Sequence, residues 1–560
     1  MNNLKSSNIN RTEWLVVATV FSVSLALYST QWFNTLRINP STLAAERILA
    51  GQIPYRDFWT IYAPGSFYLL AFLFKLFGIH LLVEYIGSSL LCAAALCVYY
   101  RLILSLVDKR TLALGCTAIC LAATYSTRYY LGLGPYPPTL LLILIGYYFT
   151  TRHFAQRSLA RLAYAGFAIG LAVLIKHDVA AYSGVAISVG LIIHHLVKPP
   201  ALKNRIYSIV VELAIFIAAA GFIAIPVLAY FASLAGMDMW QDLIVFPGTI
   251  FSFARPESYP TLLPIGIYDP WRMQILFNIF RYIQFNLPFV VFLLSLFAMG
   301  IALGKQNAKY LAPGSIFVVA FLFHYSSAHV QINTNIISIS VYAVSLGALS
   351  YRLIDQDLVV AAGRNSITIL GIAVIAVWIT SLSAKSFYDW QASSKKTKIE
   401  SSLPKISGIK IVPNQHKNLA DLKRFVNELA APDQKVFLGL HRHDVTVTGD
   451  PKIAFILNRL NPTRHDQLHP GVVDRADIQA GMIRDLQASK TSVIILDHMF
   501  SDQILDAAKA ARATKLPESG AQLLDNFIRS NYTKVRTIGP YDVMRLRSTL
   551  ARISHQIDNP

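Results

Sequence analysis

The sequence predicts an α-helical polytopic membrane protein with juxtamembrane amphipathic helices, followed by a soluble α/β domain at its C-terminal end. Three observations carry the prediction. Of 560 residues, 54% are hydrophobic and 14% charged, whereas soluble chains carry about 25% charged residues. Apolar runs approaching the ~20 residues that cross a bilayer recur between residues 14 and 384. Beyond about Lys385 the pattern becomes that of a soluble chain, opening with the Ser/Lys-rich run Ala392–Lys398.

By length and apolarity, spans fall near 14–32, 80–104, 111–126, 137–151, 163–175, 179–197, 207–233, 275–303, 311–324, 329–350 and 367–384, about eleven transmembrane helices in all. Basic residues alternate between loops: Lys109-Arg110, Arg152/Arg157/Arg161, Lys198/Lys203/Arg205, Lys305/Lys309 and Arg352/Arg364 occupy every second one. Cytoplasmic loops collect Lys and Arg, so the N-terminus is expected in the cytoplasm, with the first span an uncleaved signal anchor. The bland source of the +19 net charge is this loop bias, and no basic patch interleaved with aromatics suggests nucleic acid. Cys92, Cys97, Cys116 and Cys120 all fall in apolar spans and read as small buried hydrophobes.

The opposite, extracytoplasmic face receives the polar residues that invite chemistry: Glu46, Asp57, Arg128, Lys176, His177, Asp178, Arg255, Glu257, His324 and His329. The domain plan is therefore a transmembrane domain over 1–384, interrupted by a juxtamembrane loop at 33–79. A linker over 385–415 and an extracytoplasmic α/β domain over 416–560 follow. In that domain the apolar runs Lys435–Leu440 and Ser492–Asp497 read as buried strands, and Asp421–Leu429, Ile453–Leu460 and Leu523–Ser530 as helices.

The loop 33–79 is too patterned to be a connector. Ser41 or Thr42 can cap a helix in which Leu43, Ala44, Arg47 and Ile48 recur at helical spacing. Gly51 ends it and Pro54 keeps it from resuming. Asp57 then stands beside Arg56 in a turn bracketed by Tyr55, Phe58 and Trp59, and Pro64-Gly65 opens a second helix carrying Phe67, Leu70, Phe74 and Phe77. An interfacial carboxylate suits proton abstraction from an acceptor hydroxyl, with a pKa expected to rise on partial burial. The bland alternative is that Asp57 only pairs with Arg56 or Arg47 to lock the loop.

Lys176-His177-Asp178 interrupts an apolar stretch at the outer face, where a lysine can hold a phosphate as a point charge with Arg128 beside it; a snorkelling lysine is the alternative. His324 and His329 are too few for a metal and read as polar lining. The loop from Phe246-Pro247-Gly248-Thr249 to Pro260 reads as a cavity lid or an ordered surface loop. His441-Arg442-His443-Asp444 lacks the spaced partners of a metal site, and Asn461–Gly471 reads as a loop that could touch an acceptor. No cofactor motif is present, and a divalent metal is left open.

The run Ala45-Glu46-Arg47-Ile48-Leu49-Ala50-Gly51-Gln52-Ile53-Pro54-Tyr55-Arg56-Asp57-Phe58-Trp59, then Pro64-Gly65 and Leu73–Gly78, resembles the first extracytoplasmic loop of GT-C glycosyltransferases. The likeness is to the bacterial branch related to protein O-mannosyltransferases and aminoarabinose transferases, and it extends over roughly residues 12–350. It implies juxtamembrane helices around an active site, a polyprenyl-phosphate sugar donor and a loop carboxylate as base. Gly170–Lys176 resembles the family segment that ends in an outer-face lysine, and His324, Ser326 and His329 stand where relatives often have Arg, Asp and His. The family's acid before the first juxtamembrane helix has no counterpart in Arg37-Ile38-Asn39-Pro40-Ser41. Asp57, with Glu46 in reserve, would have to replace it.

The expected function is inverting hexosyl or pentosyl transfer from a polyprenyl-phosphate donor to an envelope glycan, lipid or protein at the outer face of a bacterial cytoplasmic membrane. Lys176, Arg128, His177, Arg56, His324 and His329 would bind donor or carrier phosphate. Membrane lipids, but no nucleic acid, are the other partners. A non-catalytic GT-C-like envelope scaffold is the alternative.

Overall fold

A computed structural model of the full chain describes residues 11–127, 130–197, 202–250, 272–304, 310–327, 332–357, 374, 376–383, 396–446, 451–512 and 519–547. By its internal contacts the chain separates into two compact units. One comprises Met1–Trp32, Tyr85–Ala229 and Glu257–Lys396; the other comprises Phe33–Glu84, Tyr230–Pro256 and Thr397–Pro560.

The first unit is helical. Its helices are α1 (Arg11–Trp32), α4 (Leu81–Val107, entering from Tyr85), α5 (Arg110–Ser126), α6 (Tyr136–Ala155), α7 (Leu159–Val173), α8 (His177–Leu196), α9 (Leu202–Ala235), α11 (Arg272–Gly304), α12 (Leu311–Ser326) and α13 (Ile332–Asp357). Each coincides with one of the apolar runs, while the run at 367–384 lies largely outside the described residues. Five of the described helices contain stretches long and apolar enough to cross a membrane: Arg11–Trp32, Leu81–Val107, His177–Leu196, Asn204–Ala235 and Ile283–Gly300. The protein is a multi-pass membrane protein.

With no water in the hydrocarbon to drive helices together, their association rests on close packing and satisfied polar groups. Gly166 and Gly170 on α7 show the first device. A Cβ at Gly166 would lie 2.5 Å from the Phe216 carbonyl, and one at Gly170 would collide with the backbone at Ala220, so α7 meets α9 backbone to backbone. Buried polar groups show the second. Tyr99 Oη bonds Ser345 Oγ at 3.0 Å, and Tyr147 Oη donates to Ser183 at 3.1 Å. Glu212, fully buried on α9, faces Arg157 Nε at 2.8 Å, His195 Nε2 at 2.9 Å and His153 Nε2 at 3.0 Å. Arg157, read from sequence as a loop charge, is thus also the partner of a buried carboxylate.

The second unit combines the first loop with the tail. α2 (Pro40–Leu49) and α3 (Gly65–Phe77) come from the loop; α10 (Met237–Trp240) runs into a π-helical segment, Gln241–Ile250. The tail carries β1 (Ile399–Glu400), β2 (Lys410–Ile411), α14 (Pro413–Leu429), β3 (Phe437–Leu440), α15 (Lys452–Leu457), α16 (Ala476–Ala488), β4 (Val493–Asp497), α17 (Asp502–Arg512), α18 (Leu523–Asn531), β5 (Tyr532–Ile538) and β6 (Tyr541–Leu546). The larger sheet has the order β3-β4-β6-β5. β3 and β4 are parallel, pairing Phe437 with Ile494, and β6 runs antiparallel to both β4 and β5. β3 and β4 are the two expected strands, continuous apolar runs because both their faces are covered.

Where a linker was expected up to residue 415, the chain forms the antiparallel pair β1–β2 around a 3-10 turn at Pro404–Ile406. This stretch grips the start of the first loop: Lys398 Nζ donates to the Asn34 carbonyl at 2.9 Å and Lys410 N to the Phe33 carbonyl at 2.7 Å.

Candidate active site

α2 begins two or three residues earlier than its hydroxyl residues suggest. Asn39 occupies the cap position with Pro40 at the first helical position, where a missing N–H costs nothing. Thr42, expected as a cap, instead donates from Oγ1 to Glu84 at 2.7 Å, and Asn39 Nδ2 donates to the same carboxylate at 2.8 Å. Glu84 is fully buried in the first turn of α4, where the helix dipole favours an acid. A carboxylate that the sequence lacks between Arg37 and Ser41 is thus brought beside Asn39 from 45 residues downstream.

The acid-bearing turn closes on itself. Asp57 Oδ2 accepts from Ile53 N at 2.7 Å while Asp57 N donates to the Ile53 carbonyl at 2.9 Å. Arg56 adds two donors, Nε to Oδ1 at 2.9 Å and Nη2 to Oδ2 at 2.7 Å. The expectation of a raised pKa is corrected: the Arg56 hydrogen bonds hold the Asp57 carboxyl below its ordinary value, outweighing its modest burial. Beside it Tyr55 is fully buried with φ +67°, a conformation costing an aromatic residue on the order of 1–3 kcal/mol. Its hydroxyl donates to the Tyr62 carbonyl at 2.8 Å. Strain of this kind persists only where surroundings over-determine it.

Those surroundings come from the tail. Arg47, 2% exposed, forks onto Asp466 with Nε–Oδ2 at 2.6 Å and Nη2–Oδ1 at 2.8 Å. It also donates to the carbonyls of Thr463 (2.8 Å) and Asn461 (3.3 Å) and to Gln52 Oε1 (2.9 Å). Glu46 pairs with Lys405. Burial raises the pKa of Glu46 and lowers that of Lys405, each against the attraction of the pair. Trp59 N donates to the Arg464 carbonyl at 2.8 Å, and Arg464 Nη2 returns a bond to the Tyr55 carbonyl. The segment 461–466, read from sequence as a loop, is the mould of the turn.

One acid escaped the sequence reading. Asp242, 7% exposed on the π-helical segment, accepts a backbone hydrogen bond from Thr60 and faces Arg464 Nη2 at 3.4 Å. Burial pushes its pKa up to about 7, Arg464 opposing and Asp238 assisting. Next to it, Trp59 packs on Phe246 (ring centroids 5.3 Å apart), His469 (5.7 Å) and His465 (6.1 Å). His465 is held neutral, its pKa lowered to about 3 by burial and by Arg464 and Arg47. The available signal was a single carboxylate in the apolar run Trp240–Phe246.

The Asp242 shift predicts a sign. Between the ordinary Asp value and about 7 the folded unit keeps a proton that the unfolded chain has lost, so stability falls as pH rises through that window. Asp242→Asn should flatten this slope and raise the melting temperature of the detergent-solubilised protein above wild type at pH 8; an unchanged slope would contradict the assignment.

In the first unit, Lys176 caps α8 and is 6% exposed. Its Nζ lies 2.7 and 2.9 Å from the Asp178 oxygens and 5.5 Å from the Tyr136 ring centroid. His177 is the half-buried first residue of α8. His324 is buried among Tyr182 and Tyr342, close enough to Lys176 and Asp178 to feel their charges. Its Nδ1 pairs with Asn335 Oδ1 at 3.0 Å, while Nε2 is buried without a hydrogen-bond partner among the described residues. Lys176, Asp178 and His324 therefore gather in this unit, and Glu46, Arg56 and Asp57 stand in the other. Arg128 and His329 lie outside the described residues, as does the proposed lid beyond Ile250. Among the described residues no group of three or more His, Cys, Asp or Glu could hold a metal. His443, in the tail motif considered for one, is buried on Asp525 at 2.7 Å.

The fold matches that of ArnT from Cupriavidus metallidurans in its apo state over 96% of this chain and 99% of that one, with a TM-score of 0.55 at 12% identity. The chain has the GT-C fold. The same ArnT bound to undecaprenyl phosphate matches over 96% and 98% of the two chains, with a TM-score of 0.51 at 12% identity. A further GT-C structure, the archaeal oligosaccharyltransferase AglB from Archaeoglobus fulgidus in complex with an inhibitory peptide and a dolichol-phosphate, matches over 96% of this chain and 75% of that one. Its TM-score is 0.50 at 12% identity. By sequence, the model of the dolichyl-phosphate-mannose-protein mannosyltransferase family matches residues 62–225, which run in this GT-C fold from the exit of the acid-bearing turn into α9. Comparison with curated protein sequences finds no match.

Proposed function

We propose that the protein is an inverting glycosyltransferase that moves a sugar from a polyprenyl-phosphate carrier to an envelope glycan, lipid or protein. The reaction takes place at the extracytoplasmic face of a bacterial cytoplasmic membrane, with the N-terminus in the cytoplasm and the tail outside. The observation that carries this reading is the nearly end-to-end likeness to a structure holding undecaprenyl phosphate, joined by a buried lysine and a buried histidine nitrogen that has no hydrogen-bond partner among the described residues.

Lys176 is assigned to the carrier phosphate as a point charge, with His324 Nε2 as a further polar contact; His177, Arg128 and His329 are assigned to the same donor from the sequence. Asp57 is assigned to the acceptor: its carboxylate takes the hydroxyl proton as the oxygen attacks the anomeric carbon, and the bond from that carbon to the phosphate oxygen breaks with its electron pair leaving on the carrier. Arg56 orients Asp57. Asp242, tuned by burial toward neutral pH, is a second acid for the same proton. Glu46 is left to anchoring through Lys405.

A non-catalytic scaffold is the second reading, favoured by the absence of an acid between Arg37 and Ser41 and by the Arg56 grip on Asp57. Profiling of lipid-linked sugars in a deletion strain separates the two. The transferase reading expects one polyprenyl-phosphate sugar to accumulate and to disappear when the gene is restored. An unchanged profile, with the envelope glycans also unchanged, would favour the scaffold.

A further inference from the structure

Lys176 and Asp178 are paired but unequally placed. The lysine side chain is 8% exposed, and the carboxylate it bonds is 41% exposed. Both carboxylate oxygens lie on Nζ, at 2.7 and 2.9 Å, and the Tyr136 ring centroid is 5.5 Å from the same nitrogen. The ammonium therefore sits deep, with the acid at its mouth. An anion arriving from outside meets the carboxylate before it meets the charge that would hold it.

The pair is local in the chain. α7 ends at Val173, and Lys176, extended at φ −145° and ψ 89°, caps α8, so its side chain reaches the acid in the first turn of that helix. Of the two partners only Asp178 has somewhere else to go. It is exposed, it stands at a helix N-terminus whose dipole favours an anion, and it takes a backbone hydrogen bond from Val179. Lys176 is enclosed, and a buried ammonium stripped of its counter-charge is costly. The carboxylate leaves it at low cost only when another anion takes its place.

We propose that Asp178 is an internal stand-in for the carrier phosphate, competing with it for the Lys176 ammonium. The phosphate displaces the carboxylate as the carrier binds, and the carboxylate displaces the phosphate as the spent carrier leaves. This rests on the reading of Lys176 as the phosphate contact. A phosphodiester donor carries one negative charge, whereas the released monoester carries about 1.5 to 2 at neutral pH. The product is thus held on a lysine more firmly than the donor, and a carboxylate two residues away offsets that excess. Asp178 acts through Lys176, as a positioning residue that sets how tightly the site keeps each form of the carrier.

Binding of undecaprenyl phosphate to the detergent-solubilised full-length protein provides the test. Asp178→Asn keeps the shape and an acceptor oxygen but removes the competing charge, so binding should tighten about tenfold or more. Asp178→Glu, which restores the charge, should return binding toward wild type; equal tightening by both variants would assign the effect to shape and overturn the inference. Lys176→Gln should weaken binding by about tenfold or more. Unchanged or weaker binding by Asp178→Asn, with Lys176→Gln weakened, would overturn the inference and leave Lys176 as the phosphate contact. Undiminished binding by Lys176→Gln would remove the phosphate reading and the inference with it. The wild-type protein supplies a measurement that needs no variant to fold. Carbodiimide coupling of an amine to Asp178, quantified by mass spectrometry, should rise severalfold when undecaprenyl phosphate is added, and labelling that stays level or falls would also overturn the inference.

Discussion

Asp57→Asn should lower sugar transfer by about 10²–10⁴-fold, the usual share of a general base, while the protein inserts and folds. The folded state is spared because asparagine keeps an oxygen that can accept from Ile53 N, and the Asp57 N to Ile53 carbonyl bond is backbone. What is lost is the charge: an amide cannot take the acceptor proton, nor answer Arg56 with two charged oxygens. The measurement is initial transfer rate in membranes supplied with the lipid-linked sugar that accumulates in the deletion strain, beside the proteolytic resistance of the tail. Near-normal transfer would move the base to Asp242, and Asp242→Asn would then carry the loss. Because Arg56 lowers the Asp57 pKa and burial raises that of Asp242 to about 7, the two assignments also differ in pH profile. A rate that climbs through neutrality points to Asp242; one already flat there points to Asp57.

The largest effect on stability should come from Arg47→Ala, with an expected loss of about 3 kcal/mol, because the half-buried partner Asp466 is left as an uncompensated charge. The carbonyls of Asn461 and Thr463 lose donors at the same time. Arg47→Ala together with Asp466→Ala should be less damaging than Arg47→Ala alone, since no stranded carboxylate remains. Thermal unfolding of the detergent-solubilised full-length protein, followed by protease release of the tail, reads both. A single variant as stable as wild type would mean that the Arg47 side chain makes no net contribution to stability.

The spans were legible because each is a run of apolar residues, and β3 and β4 because buried parallel strands are apolar on both sides. β5 and β6 were not: Lys534, Arg536 and Arg545 break the apolar pattern of a hairpin with an exposed face. The cap of α2 was misplaced because Thr42 has the right hydroxyl but spends it on Glu84. Arg56 beside Asp57 was readable as a pair, yet its consequence for the carboxyl depended on two aligned donors and little burial, neither of which is written in adjacency. The grip of Arg47 on Asp466 leaves no local pattern at all, since ion pairs between distant segments have no period.

That grip also has a consequence in time. Arg47 leaves the ribosome 419 residues before Asp466, which at ordinary rates of about 5–20 residues per second is a wait of roughly 20–80 s. Until then the buried guanidinium, the strained Tyr55 and the turn between them lack the segment that fixes their shape. A chain cut short between residues 358 and 460 would carry every spanning helix described here and still lack the segment on which Arg47 closes, so the first loop has all of its partners only once synthesis has passed Asp466.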